Sequence, residues 1–91
     1  MPNLENIEIA DIFDIPVEER KQLIDMGSSL LLQEIGMMEL LQELTFQSAL
    51  NKTMYNLDKK IEMAKQNENY EICYYLEEVK WNTLKMLKQN V

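Results

Sequence analysis

The last third of the chain carries the hydrophobic pattern that most restricts its fold. Apolar residues recur four and three positions apart from Leu50 to Ala64, which places them along one side of an α-helix. A polar stretch, residues 67–69, ends that pattern, and a second helical pattern follows it. The sequence therefore predicts two amphipathic helices joined by a tight turn. The first presents Leu50, Met54, Leu57, Ile61 and Ala64, and the second presents Ile72, Cys73, Leu76, Val79, Leu84 and Leu87.

Composition favours a wholly helical chain. The 91 residues include two glycines and two prolines, while leucine, methionine, glutamate, glutamine and lysine, all good helix formers, are abundant. A chain of this length corresponds to one domain. We therefore predict an all-α fold, a three- or four-helix bundle with a C-terminal helical hairpin. Residues 16–91 form its single helical domain, and residues 1–15 form an acidic N-terminal arm.

Two further helical segments are expected before the hairpin. Pro16 suits the start of a helix, and the acidic residues Glu18 and Glu19 complement the positive end of its dipole. Residues 29–44 are apolar around well over half of the helix circumference, which is typical of a helix that is central in a bundle or buried in an oligomer. Gly27 separates the two segments, and a kink, a short loop and a close helix crossing all stay open there.

The ends of the hairpin helices can also be predicted. Thr45 and Ser48 both suit the capping position that precedes a helix. The first hairpin helix is therefore expected to begin near them and to end near Gln66. The second is expected to run from about Asn69 to about Asn90.

Glu34 lies within the apolar side of the segment 29–44. A buried carboxylate needs a cationic partner or hydrogen bonds. Two explanations stay open: an ion pair with a lysine or arginine at a helix crossing, or a role in setting the register between subunits. The candidate residues for oligomer contacts or register are Glu34, Met37, Met38 and Leu41.

Acidic residues concentrate in the arm, whose carboxylates supply much of the net charge of −7. Glu5, Glu8, Asp11 and Asp14 recur every third position, and on a helical wheel they share one arc while most of the apolar residues share the other. A short amphipathic helix is expected, lying on its own bundle or on a partner, because isolated short helices are marginal in water. The acidic arm suits a protein partner with a basic surface, and a role in solubility alone stays open.

The residues present argue against catalysis. The sequence contains no histidine, which removes the usual general base and the usual zinc ligand. Its one cysteine, Cys73, builds no metal site by itself and is expected to be a small buried hydrophobe. Neither a glycine-rich phosphate loop nor a nucleophile elbow occurs. We expect a protein that is not an enzyme and that needs no cofactor or metal.

Charge and hydropathy argue against two kinds of partner. Direct binding to nucleic acid needs a cationic surface, whereas this chain is acidic. No apolar run reaches the roughly 18–20 residues of a membrane span, so no membrane partner is expected. The acidic first residues differ from the basic start of a signal peptide, and a cytoplasmic location is expected.

Aromatic residues recur on the side of the last helix that faces away from its apolar side. Tyr70, Tyr74 and Trp81 share that side at helical spacing. Either another element of the same chain covers them, or a partner binds there, since tyrosine and tryptophan contribute strongly to protein interfaces. The candidate partner-binding residues are Tyr70, Tyr74, Trp81 and, on the polar rim, Glu77.

Residues 54–84 resemble the UVR helical hairpin, a short motif of the excision-repair subunits UvrB and UvrC and of some protease adaptors. The matching positions are Leu57, Ile61 and Ala64 in the first helix, Asn69, Tyr70 and Glu71 in the turn, and Cys73 and Leu76 in the second helix. The chain departs from the motif at two positions. Tyr74 stands where the motif has a second alanine, and Glu77 stands where the motif has an arginine. The resemblance implies a protein–protein docking module and does not imply repair activity.

Taken together, these patterns predict a non-catalytic protein–protein interaction module or adaptor, which binds a partner through a helical surface and self-associates. A first alternative is a structural subunit of a homo-oligomer or larger assembly, which the apolar segment 29–44 favours. A second alternative is an acidic inhibitor of a nucleic-acid-binding protein, which the acidic arm favours.

Overall fold

Three α-helices make up most of residues 14–89, the part of the chain that this computed structural model describes. They are α1 (Val17–Leu41), α2 (Phe46–Gln66) and α3 (Tyr70–Gln89). Each helix packs against the other two. The prediction of an all-α fold is therefore confirmed, and the described chain is consistent with a three-helix bundle.

Most of the predicted acidic arm lies outside the described residues. Glu5, Glu8 and Asp11 belong to that part, whereas Asp14 is described and is exposed. The arm and the inhibitor hypothesis that depends on it stay predictions.

The first two helices begin where local sequence signals place them, whereas α1 ends at Leu41, before the end of the predicted segment 29–44. The carbonyl of Pro16 accepts from the Arg20 N–H at 3.0 Å, which closes the first turn of α1. The hydroxyl of Thr45 accepts from the Ser48 N–H at 3.1 Å, so Thr45 is the cap of α2. Both starts agree with the predictions.

A tight turn joins α2 to α3. Glu68 has a φ of 56°, in the left-handed region. The Glu68 N–H donates to the Lys65 carbonyl at 3.0 Å, and the Asn69 N–H donates to the Ala64 carbonyl at 2.8 Å. These paired bonds form a Schellman motif, which satisfies the last carbonyls of α2 and reverses the chain. The predicted hairpin is thereby formed.

Gly27 lies at a close helix crossing. The helix α1 continues through it to Leu41, so the two segments expected before the hairpin form one helix. A Cβ placed on Gly27 would lie 2.7 Å from both the Tyr75 hydroxyl oxygen and Val79 Cγ2. A kink, a short loop and a close helix crossing were open for this glycine, and the structure shows a close helix crossing.

The α2–α3 pair encloses an apolar cluster. Its buried members are Leu57, Ile61, Ala64 and Cys73. Around them pack the partly buried side chains Leu31, Met54, Ile72 and Leu76. Cys73 is a buried free thiol, as expected. Burial and the adjacent Glu77 carboxylate raise the pKa of this thiol, which disfavours the reactive thiolate.

The α1–α3 contact is polar as well as apolar. Ser28 is fully buried, and its hydroxyl accepts from Asn82 Nδ2 at 2.8 Å. The same amide donates to Asp25 at 3.0 Å. The Tyr75 hydroxyl donates to the carbonyl of Leu23 at 2.8 Å. Because each donor on α3 meets an acceptor on α1, these bonds fix the rotation and height of one helix against the other.

None of the three described helices combines the length and apolarity needed to cross a membrane.

The partly buried hydroxyl of Tyr75 gives the bundle a pH-dependent stability. Burial raises the pKa of Tyr75 above its ordinary value of 10.0. As the pH rises, the unfolded chain therefore loses this proton before the folded chain does. The contribution of Tyr75 to stability is complete below the pKa that this residue has in the unfolded chain. It is lost as the pH rises through the pKa that Tyr75 has in the folded chain.

We expect the unfolding free energy of the wild type to fall more steeply above about pH 10 than that of a Tyr75→Phe variant. Denaturant titrations between about pH 8 and pH 11 measure the unfolding free energy of both proteins. The effects of all other titrating groups cancel in the difference between the two, because both proteins contain those groups. Parallel stability curves would contradict the prediction.

Candidate protein-binding surface

Trp81 lies between two grooves on the surface of the bundle. Its side chain is 62% exposed. One groove, of about 400 Å³, runs between α1 and α3 and includes Val17, Ile24 and Tyr74. The other, of about 780 Å³, lies between the start of α2 and the end of α3. Its apolar lining residues are Phe46, Leu50, Leu84 and Leu87. We call Trp81 and these two grooves the Trp81 surface.

Lys80 restrains the Trp81 ring. Its Nζ lies 5.3 Å from the centroid of the ring and 2.7 Å from Oδ1 of Asp58 on α2. A cation over an exposed indole contributes about 0.5–1 kcal/mol. The ion pair holds the lysine in place while the lysine interacts with the ring. A side chain restrained in this way loses less conformational entropy when a partner covers it.

Cations outnumber carboxylates along the rim of the Trp81 surface. Lys85 borders both grooves, and Lys88 borders the second. On the first groove Arg20 and Lys21 add two further cations, against the carboxylates of Asp25 and Glu78. The rim is therefore cationic although the chain as a whole carries −7.

The structure brings two of the four predicted partner-binding residues together. Tyr74, half-buried, lines the α1–α3 groove with Trp81. Tyr70 is exposed at the first position of α3 and lines neither groove. Glu77 lies towards α2, where it accepts from Cys73 Sγ at 3.7 Å and lies 3.6 Å from Lys65 Nζ.

The four residues predicted for oligomer contacts or register all line one shallow groove on α1, of about 300 Å³. Met37 and Leu41 are exposed there, next to the exposed Leu30. Met38 is half-buried, and its sulfur accepts from the Thr53 hydroxyl at 3.5 Å. This apolar side of α1 is therefore open to solvent along the described chain.

Glu34 is half-buried in the same groove. Among residues 14–89 it has no ion pair. The cation that we expected at a helix crossing is therefore not supplied by the described chain, and the role of Glu34 in register stays a prediction.

Sequence reasoning missed part of the Trp81 surface. The sequence pattern did not identify Phe46 and Val17 as surface candidates, because each is the first residue of a helix and lies outside the periodic apolar pattern. Leu50, Leu84 and Leu87 were expected to be buried, yet they are half-buried and line the second groove. Their apolar spacing predicts the side of the helix correctly, but it cannot show that the helices leave a gap at this end.

No cluster of three or more cysteine, aspartate or glutamate side chains between residues 14 and 89 is arranged to hold a metal ion. Comparison with protein-family models, with curated proteins and with solved structures gives no match. The resemblance of residues 54–84 to the UVR hairpin stays a prediction.

Proposed function

We propose that this chain is a non-catalytic protein-interaction module whose binding site is the Trp81 surface. The observation that carries the proposal is a largely exposed tryptophan placed between two grooves, one lined by apolar and charged side chains and the other mainly by apolar ones. Tryptophan at the centre of an interface is among the residues whose truncation costs most binding energy.

The shape of the surface supports a helical or extended peptide segment as the partner element. Grooves between helices bind amphipathic segments by burying the apolar side of the segment. Trp81 supplies an anchor that two grooves share, so a segment that crosses α3 contacts apolar side chains in both. Lys85 and Lys88 supply the polar edge that surrounds such contacts.

The direct test compares two variants that each remove one exposed aromatic residue. Trp81→Ala removes the proposed anchor, whereas Tyr55→Ala removes an exposed aromatic residue of α2 that lines neither groove. We expect Trp81→Ala to weaken binding of a specific partner at least about 30-fold, which is the effect of truncating a hot-spot residue. We expect Tyr55→Ala to bind as the wild type does.

The measurement has two stages. Proteins retained by the immobilised wild type and by each variant are quantified by mass spectrometry, and the affinity of any protein lost from Trp81→Ala alone is then measured with purified components. Circular dichroism and thermal unfolding establish that each variant is folded. If the folded Trp81→Ala variant binds every partner as tightly as the wild type, the proposal is wrong.

A second candidate function is that of a structural subunit that assembles with copies of itself. The exposed apolar side of α1, formed by Leu30, Met37 and Leu41, favours it. Apolar contacts of this kind are what a self-associating helix presents to a second copy.

Met37→Glu and Met63→Glu provide a matched pair, because the two methionines are similarly exposed on α1 and α2. If the chain self-associates through α1, light scattering across a concentration series gives an oligomer for the wild type and for Met63→Glu. Met37→Glu then dissociates at higher concentrations than either. A wild type that stays monomeric throughout excludes this second candidate.

A further inference from the structure

The rim of the Trp81 surface fits an acidic, apolar segment of protein. Lys85 and Lys88 lie beside an otherwise apolar groove, and none of the carboxylates of residues 14–89 lines that groove. The neighbouring groove adds the cations of Arg20 and Lys21 and the carboxylates of Asp25 and Glu78, so cations stay in excess along the described rim. At ordinary salt, such cations attract carboxylates over about 10 Å. The inference below rests on the proposed function, because it concerns what the same surface binds.

The described chain begins at the edge of this surface. The described residues begin at Asp14, and Arg20 Nη2 donates to the carbonyl of Ile15 at 3.3 Å. Val17 follows, is 71% exposed and lines the α1–α3 groove together with Trp81. Residues 1–13 are therefore joined to the bundle at the edge of the Trp81 surface.

Residues 1–13 have the chemistry that the rim requires. They carry three carboxylates, Glu5, Glu8 and Asp11, and no lysine or arginine. Their apolar side chains include Leu4, Ile7, Ile9, Ala10, Ile12 and Phe13. A segment of this composition has apolar groups to pack on Trp81 and carboxylates to pair with the surrounding cations.

The segment is also long enough. Thirteen residues span about 20 Å as a helix and roughly 45 Å when extended. The longest dimension of the described bundle is 39 Å. Val17 and Trp81 line the same groove, so either form of the segment reaches the tryptophan.

We propose that residues 1–13 bind to the Trp81 surface of their own chain and cover Trp81. Binding within one chain is favoured because the linkage gives the segment a high effective concentration at the surface. A partner must then displace the segment, so its apparent affinity is reduced by the fraction of molecules whose surface is open. The segment thus acts as an autoinhibitor of the proposed binding site.

Trp81 is the single tryptophan of the chain, so its fluorescence reports this site alone. Quenching by acrylamide is measured on the full chain, for the wild type and for an Ile9→Ser/Phe13→Ser variant that weakens the apolar contacts. The matched control is Tyr55→Ser/Met63→Ser, which removes two exposed apolar side chains of α2 away from the Trp81 surface.

We expect the quenching constant to rise at least about twofold in the arm variant, because an indole buried under the segment loses most of its large accessible surface. We expect the control variant to keep the wild-type value. Equal quenching in the wild type and the arm variant overturns the proposal. Tyr55 and Met63 are both exposed, and circular dichroism establishes that each protein is folded.

A concentration series identifies the molecule that supplies the segment. Protection of Trp81 that does not change with protein concentration supports binding within one chain. Protection that increases with concentration shows that a second copy supplies the segment, and it overturns the proposal as stated.

The two proposals fail in different ways. If the arm variant is quenched as the wild type is, this inference is wrong, while a partner lost from Trp81→Ala still supports the binding function. If the arm protects Trp81 but the Trp81→Ala variant retains every partner, the binding function is wrong and the intrachain contact stands.

Discussion

The crossing of α1 over α3 at Gly27 is the contact on which the described bundle depends. Without a Cβ, this residue lets the α1 backbone approach until the Tyr75 hydroxyl and a Val79 methyl fill the space that a side chain needs. The same approach brings Ser28 within hydrogen-bonding distance of Asn82. Steric fit and buried polar contacts therefore act at one place, and a shift of either helix disturbs both.

This crossing also determines which surfaces are left for function. It brings the first turn of α1 beside the outer side of α3, which forms the groove that Val17 and Trp81 share. It also turns the apolar side that includes Leu30 and Met37 away from the other two helices. One helix contact thus accounts for the groove proposed to bind a partner and for the stripe that favours self-association.

Local features were predictable from the sequence, and features that depend on contact between distant residues were not. Thr45 caps α2 as expected, because capping requires only a hydroxyl three residues before an N–H. Helical spacing also predicts the side of α3 on which Trp81 lies, but the sequence left open whether another element of the chain covers it. By contrast, sequence alone could not choose between a loop and a crossing at Gly27, because the choice depends on which residues of α3 lie opposite. The partly buried hydrogen bond between Ser28 and Asn82 was not predicted, for the same reason.

The most direct test of the crossing compares the unfolding free energies of Gly27→Ala and Gly36→Ala. Both glycines lie within α1, but a Cβ at Gly36 meets no atom within 4 Å. Alanine at position 36 should therefore stabilise the fold by about 1 kcal/mol, the usual gain over glycine within a helix. Alanine at position 27 should destabilise it by about 1–3 kcal/mol, because the β-branched side chain of Val79 has little rotational freedom with which to yield. Equal stabilisation by both substitutions would contradict the close crossing.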